Sequence, residues 1–180
     1  SEMCIRDSNE IVDEIVEKIT FEEGNIVIIG MPSGGKSTIG SLLAKQLGRE
    51  FVDIDDYIPE AAGKSIADIF AEDGEEAFRV IETQVTGDVC KRSGLVIACG
   101  GGVVTKARNY DLLHQNGIVL LLKRPLELLV SDGRPMSITK GIPALARDRG
   151  PKYDAWGDIV VSNDADPMIV VGRALEKLQK

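Results

Sequence analysis

Short apolar runs alternate with longer stretches of helical spacing along this chain. Residues 25–29, 95–99 and 118–122 are almost wholly apolar and rich in β-branched residues, the pattern of strands buried on both faces. Residues 51–55 and 158–162 read as two further strands. In the first of these Val52 and Ile54 would face one way and Asp53 and Asp55 the other. Between the runs, Ile39, Leu42, Leu43 and Leu47 recur at helical spacing, and Gly48 stops that helix. Phe78, Ile81, Val85 and Val89 do the same in a helix over 75–91. Shorter helices are predicted over 65–71, 125–130 and 144–150. A last one runs through Leu178, with Asp166 as its cap and Pro167 in its first turn. Strands alternating with helices predict a single α/β domain, a five-stranded parallel sheet in a three-layer sandwich with right-handed crossovers.

Two regions stand apart from that alternation. Residues 1–24 form an N-terminal extension to the domain at 25–180. Within it, 1–8 are without periodicity and are expected to be a scar outside the fold, and 9–20 read as an amphipathic helix on Ile11, Val12, Ile15, Val16 and Ile19. The stretch 131–143 is polar, has Gly and Pro at both ends and carries Arg134, the composition of a mobile lid.

The first strand runs into Gly30-Met31-Pro32-Ser33-Gly34-Gly35-Lys36-Ser37, which fits G-x-x-x-x-G-K-[ST]. A phosphate-cradling loop must sit at such a strand-to-helix turn. There the backbone N–H groups turn inward, and the helix N-terminus adds its positive end. Lys36 would reach the β- and γ-phosphates, and the Ser37 hydroxyl would ligate Mg²⁺. The Asp53/Asp55 pair and Gly100-Gly101-Gly102 also follow strands. In parallel sheets ligands bind at those C-terminal strand ends, so three separate segments are expected to build one site.

Composition narrows the partners. The chain of 180 residues is 43% hydrophobic and 28% charged, with net charge −8. Such an excess of acid argues against nucleic acid, and no apolar run approaches a membrane span. Cys4, Cys90 and Cys99 are odd in number and lack metal-ligand spacing, which suits a reducing, cytoplasmic setting. Cys99 is expected to be a buried strand residue, and His114, the only histidine, a surface or helix-end residue. By helix pattern alone Arg79 and Glu82 read as a surface ion pair.

The ordered set of motifs resembles the shikimate kinase family from about residue 25 to the end. It comprises the phosphate loop at 30–37, Asp53-x-Asp55, Gly63-Lys64-Ser65-Ile66 with Ile69-Phe70, and Gly74-Glu75 with Phe78-Arg79 and Glu82. It continues through the triple glycine, Arg134-Pro135 and Arg149-x-Pro151-x-Tyr153. The resemblance implies a nucleoside-monophosphate-kinase-like fold and MgATP-dependent phosphorylation of the shikimate 3-hydroxyl, on the route to chorismate and aromatic amino acids. It implies that Gly30, Ser33, Gly34, Gly35, Lys36, Ser37, Thr38 and Arg134 hold ATP, and that Asp53 supports Mg²⁺ through its water shell. Asp55 would bind the attacking hydroxyl. Arg79, Arg149, Gly100, Gly101 and Gly102 would hold shikimate. A monomer is expected, alone or as a domain of a fused pathway enzyme. The chain departs from the family in a short segment between the fourth strand and the lid, in acidic residues where the 162–167 loop often carries a basic one, and in Met136 where Leu is more usual. A gluconate kinase would keep Lys36 and Asp55 but leaves Arg79, the triple glycine and Arg149 unexplained. A silent binding protein could lose Lys36, Asp55 or Arg134, and none is lost.

Overall fold

A computed structural model describes residues 10–11, 24–131 and 136–180. Five parallel strands form one sheet: β1 (Asn25–Ile29), β2 (Glu50–Asp53), β3 (Leu95–Ala98), β4 (Gly117–Lys123) and β5 (Ile159–Ser162). Their order is β2-β3-β1-β4-β5. β1 is central because each of its residues is buried on both faces of the sheet. Ile26 pairs with Val96 on one side and with Ile118 on the other. The chain leaves β1 toward β2 on one side and returns to β4 on the other. The phosphate loop therefore opens beside the crevice where the strand order reverses.

The period-two alternation of β1 sorts the core into two layers. Ile26 and Ile28 pack with Ile39 and Leu43 of α1 (Lys36–Leu47) and with Val170, Val171 and Ala174 of α7 (Pro167–Leu178). Val27 and Ile29 face the opposite layer. That layer holds α2 (Ile54–Ala62), α3 (Gly74–Cys90), α4 (Arg108–His114) and α6 (Met136–Trp156), with Phe78, Val85, Tyr153 and Trp156 among its buried side chains. A short α5 (Leu126–Ser131) follows β4.

Several expected boundaries move for identifiable reasons. β2 stops at Asp53, whose Oδ1 accepts a hydrogen bond from the Asp55 backbone N at 3.0 Å and so caps α2. Asp53 and Asp55 therefore do not share a strand face; the first caps the helix and the second stands in its first turn. Ser65 caps a helical turn over Ile66–Asp68, which runs on as a π-turn over Ile69–Asp73 to the start of α3. The expected cap at Asp166 makes no side-chain cap bond; Pro167, with φ preset for a helix, opens α7 without it. The largest difference concerns 131–143. From Met136 the chain is already helical and stays so to Trp156, through Pro143 and Pro151, so residues 136–143 are helix rather than loop. Arg134 lies outside the described residues, as does the predicted 9–20 helix apart from Glu10 and Ile11, which are helical. Among the described residues no helix is long and apolar enough to cross a membrane.

Asn25 ties the bottom of the sheet together. Its side chain is 2% exposed; Nδ2 donates to the Arg92 carbonyl at 2.8 Å, and Oδ1 accepts from the Leu95 N–H at 3.0 Å. Asn25→Ala leaves a buried carbonyl and amide without these partners. The variant is expected to lose about 2–3 kcal/mol of unfolding free energy in a urea titration, with both substrate KM values unchanged. A loss under about 0.5 kcal/mol would contradict this role.

Candidate active site

The three segments expected to converge do so. A cleft of about 670 Å³ opens at the C-terminal strand ends. Ser33, Gly35, Lys36, Ser37, Thr38, Asp53, Asp55, Gly100 and Gly101 line it, with Pro32, Arg124, Asn163 and the 165–167 loop. Gly30 and Gly34 belong to the same loop but shape it from behind.

Loop geometry follows from its glycines. A Cβ on Gly30 would lie 2.5 Å from the Leu122 carbonyl oxygen of the neighbouring strand. Gly35 caps α1 with φ 86°, a left-handed conformation open to glycine at little cost. Ser33 holds φ 68° without that freedom. Lys36 folds back on its own loop, donating to the Gly30 carbonyl at 3.0 Å and the Met31 carbonyl at 2.7 Å. Burial lowers its pKa to about 8, against the pull of the nearby Asp55 and Asp53.

Beside the start of α1, the Ser37 hydroxyl donates to Asp53 Oδ2 at 2.5 Å. Asp55 stands next to this pair. Its Oδ1 is buried and has no hydrogen-bond partner among the described residues. Burial, reinforced by Asp53, raises the pKa of its carboxyl. Asp55 lines the cleft, where a carboxylate can take a hydrogen bond, or a proton, from an incoming hydroxyl.

Arg79 is not the surface residue its helix pattern suggested. It is 7% exposed and Glu82 is 1% exposed. The Arg79 guanidinium donates to Glu82 Oε2 at 2.8 Å and to Glu75 Oε1 at 3.2 Å, and its buried Nε has no partner among the described residues. Burial pushes the Glu82 carboxyl up, and the Arg79 charge pulls it back only in part. Arg149, on α6, is near enough for its charge to act on Glu82, Lys36 and Tyr153. Tyr153 in turn donates to the Gly101 carbonyl at 2.5 Å. The charges of Arg79 and Arg149 thus act on the same two groups, Glu82 and Tyr153, although neither arginine lines the cleft wall.

Each of the three glycines is demanded by a different neighbour. A Cβ on Gly100 would lie 2.9 Å from Glu82 Oε1 and 3.1 Å from Asp55 Oδ1. On Gly101 it would meet the Pro32 ring at 2.6 Å, and on Gly102 it would overlap the Arg79 guanidinium. Close approach, rather than a flexible turn, is what the glycines serve here.

Sequence reasoning placed His114 correctly and foresaw the burial of Cys99. Cys99 is 2% exposed but stands one residue past the end of β3 rather than in the strand. His114 ends α4, where its ring nitrogens meet the Tyr110 and Trp156 carbonyls. It missed Pro32, Arg124 and Asn163. Only Asn163 carried a hint, a loop position between Ser162 and Asp164, and nothing in the pattern foretold its burial.

The comparisons agree with this geometry. A family model described as shikimate kinase matches residues 32–179. A shikimate kinase of Clostridium botulinum (strain Alaska E43 / Type E3) is 37% identical over 164 residues, 88% of this chain and 96% of that one. The structure titled shikimate kinase from Acinetobacter baumannii in complex with shikimate superposes with TM-score 0.83 at 31% identity, covering 91% of this chain and 97% of the other. A gluconokinase from Sinorhizobium meliloti 1021, at 16% identity, TM-score 0.57 and coverage of 87% and 91%, shares the fold alone. Matched by one family model over nearly all of its described domain, and superposing on a solved member over nine-tenths of its length, the chain belongs to the shikimate kinase family.

Proposed function

We propose that ATP lies along the phosphate loop and α1, and that shikimate sits between Asp55, Arg79, Arg149 and the triple glycine. The family's reaction is transfer of the ATP γ-phosphoryl to the shikimate 3-hydroxyl, giving shikimate 3-phosphate and ADP. The observation that carries the placement is that Arg79 and Arg149 act on the same Glu82, which lies with Asp55 against Gly100. Glu82 and Glu75 already pair with Arg79, so its guanidinium is held in place before a ligand arrives. The shikimate carboxylate is an anion that planar guanidinium groups can bind with paired hydrogen bonds.

In this reading Asp55 aligns the attacking hydroxyl and accepts its proton. Its raised pKa makes it a better base than an ordinary carboxylate, and its unpartnered oxygen is the acceptor. Lys36 leaves the Gly30 and Met31 carbonyls for the phosphates, an exchange of neutral acceptors for charged ones. Ser37 and Asp53 are the chain's contribution to a Mg²⁺ site. Two oxygen donors already meet there. Few protein donors suit a cation that keeps several waters and takes other ligands from phosphates. Bound there, the cation neutralises charge building on the phosphoryl oxygens. Arg134, outside the described residues, is proposed to close over the phosphates from the lid. The reading needs no group from a second chain, so the unit is proposed to work as a monomer, alone or as one domain of a fused enzyme. A cytoplasmic setting suits ATP and the buried free thiols of Cys90 and Cys99.

Coupled ADP release with shikimate and with gluconate tests the acceptor; gluconate as the better substrate would overturn the reading. Arg79→Ala would strand Glu82 as a buried lone charge, so Arg79→Lys is the cleaner probe. It keeps a cation for Glu82 but loses the planar fork. It is expected to weaken shikimate by about 1.5–3 kcal/mol, the worth of a charge-assisted hydrogen bond, with the ATP KM unchanged. Asp55→Asn is expected to lower kcat by about 10²–10⁴ without raising the shikimate KM in proportion.

The depressed Lys36 pKa gives a second expectation. In the free enzyme Lys36 loses its proton as pH rises through about 8, and with it the charge that meets phosphate. kcat/KM for ATP should therefore fall above about pH 8. The stability effect has the opposite sign. Between about 8 and the ordinary 10.5 the unfolded chain holds more protons, so this group's contribution to stability rises with pH across that window. A kcat/KM profile flat to pH 10 would exclude Lys36 as the group that reads the phosphates.

A further inference from the structure

Asn163 follows β5 in a loop, yet it is 4% exposed. Its backbone N donates to the Lys123 carbonyl at 2.6 Å, which pins the loop to the end of β4. Its side chain crosses to the phosphate loop, where Nδ2 donates to the Gly34 carbonyl at 2.8 Å. A Cβ on Gly35 would lie 2.5 Å from that same Nδ2, so the amide sits directly against the Gly35 α-carbon. The next carbonyl along, that of Gly35, accepts from the Ile39 N–H at 2.9 Å, the first bond of α1.

The bond fixes a peptide plane. In a trans peptide the carbonyl oxygen of Gly34 and the N–H of Gly35 point in opposite directions. Holding the oxygen toward Asn163 therefore turns the Gly35 N–H away from Asn163. The Gly34 N–H is held as well, bonded to the Met31 carbonyl at 3.0 Å, so the plane on either side of Gly34 is anchored. Without Asn163 the Gly34–Gly35 plane could turn with little resistance from two glycines. A carbonyl oxygen turned inward would then meet phosphate with the wrong sign.

We propose that Asn163 is a positioning residue for ATP: it holds the Gly34 carbonyl outward so that the Gly35 N–H faces the phosphates. The proposal rests on the reading of the cleft as the ATP site. Asn163 touches no reacting atom in this account; it acts through the loop.

The test is coupled ADP release by the parent, Asn163→Ala, Asn163→Ser and Asn163→Asp. ATP and shikimate are varied in turn, tripolyphosphate serves as a competitive probe, and a thermal melt is taken for each protein. Ala and Ser are both too short to reach the Gly34 oxygen. Both should raise the ATP KM and the tripolyphosphate Ki together, about tenfold (a factor equal to about 1.4 kcal/mol), with the shikimate KM unchanged. Ser leaves a smaller cavity than Ala, so agreement between the two separates the lost bond from lost packing. Asp keeps the shape but cannot donate and adds negative charge, so it should be worse than Ala. A packing role would instead place isosteric Asp nearest the parent. Parent-like ATP KM in Ala and Ser, or a raised ATP KM with unchanged tripolyphosphate inhibition, overturns the proposal. A parent that does not turn over ATP with shikimate at all would instead defeat the reading of the cleft.

Discussion

The site depends on how closely groups pack around residues 100–102. β3 delivers three glycines to the end of the sheet, and the space a side chain would fill at each is taken. Pro32 of the phosphate loop fills one, the Arg79 guanidinium another, and the Asp55 and Glu82 carboxylates the third. The phosphate-loop side of the cleft and the Arg79–Glu82 side are therefore joined across the thickness of a backbone. In-line phosphoryl transfer requires two substrates held in near contact, and displacements of an ångström are costly. Here that precision comes from absent Cβ atoms.

Charge is distributed on the same scale. The protein carries a net −8, yet Lys36 lines the cleft, and the charges of Arg79 and Arg149 both act on nearby Glu82. The positive charges are not free: Lys36 is tied to loop carbonyls and Arg79 to Glu82 and Glu75. Pairing holds the side chains in place until a stronger anion arrives. The buried Arg79–Glu82 bond is weak evidence for stability, because desolvation offsets much of the attraction. Its evident effect is orientation, since it holds the guanidinium against Gly102.

Much of this could be read in the sequence, for uneven reasons. The sheet and the phosphate loop were legible because β1, β3 and β4 are buried on both faces and carry the signal in every residue. Asp53 and Asp55 were correctly named as a pair but for the wrong reason, since the strand ends at Asp53 and a helix cap brings them together. Arg79 was misjudged because three-residue spacing says which residues are neighbours but not which side of a helix is covered by other elements. Asn163 was out of reach, because its partner lies 129 positions away. The 131–143 stretch read as loop from its Gly and Pro residues, whereas the chain is helical from Met136 on, across Pro143.

The most direct measurement is the kinetics of Gly102→Ala. The residue has φ −91°, so alanine is permitted there by the backbone and any effect comes from the space occupied. The added methyl must displace the Arg79 guanidinium. The account predicts that the shikimate KM rises by about tenfold or more, equal to at least about 1.4 kcal/mol, while the ATP KM stays within about twofold. A shikimate KM equal to that of the parent, in a protein that melts normally, would contradict it.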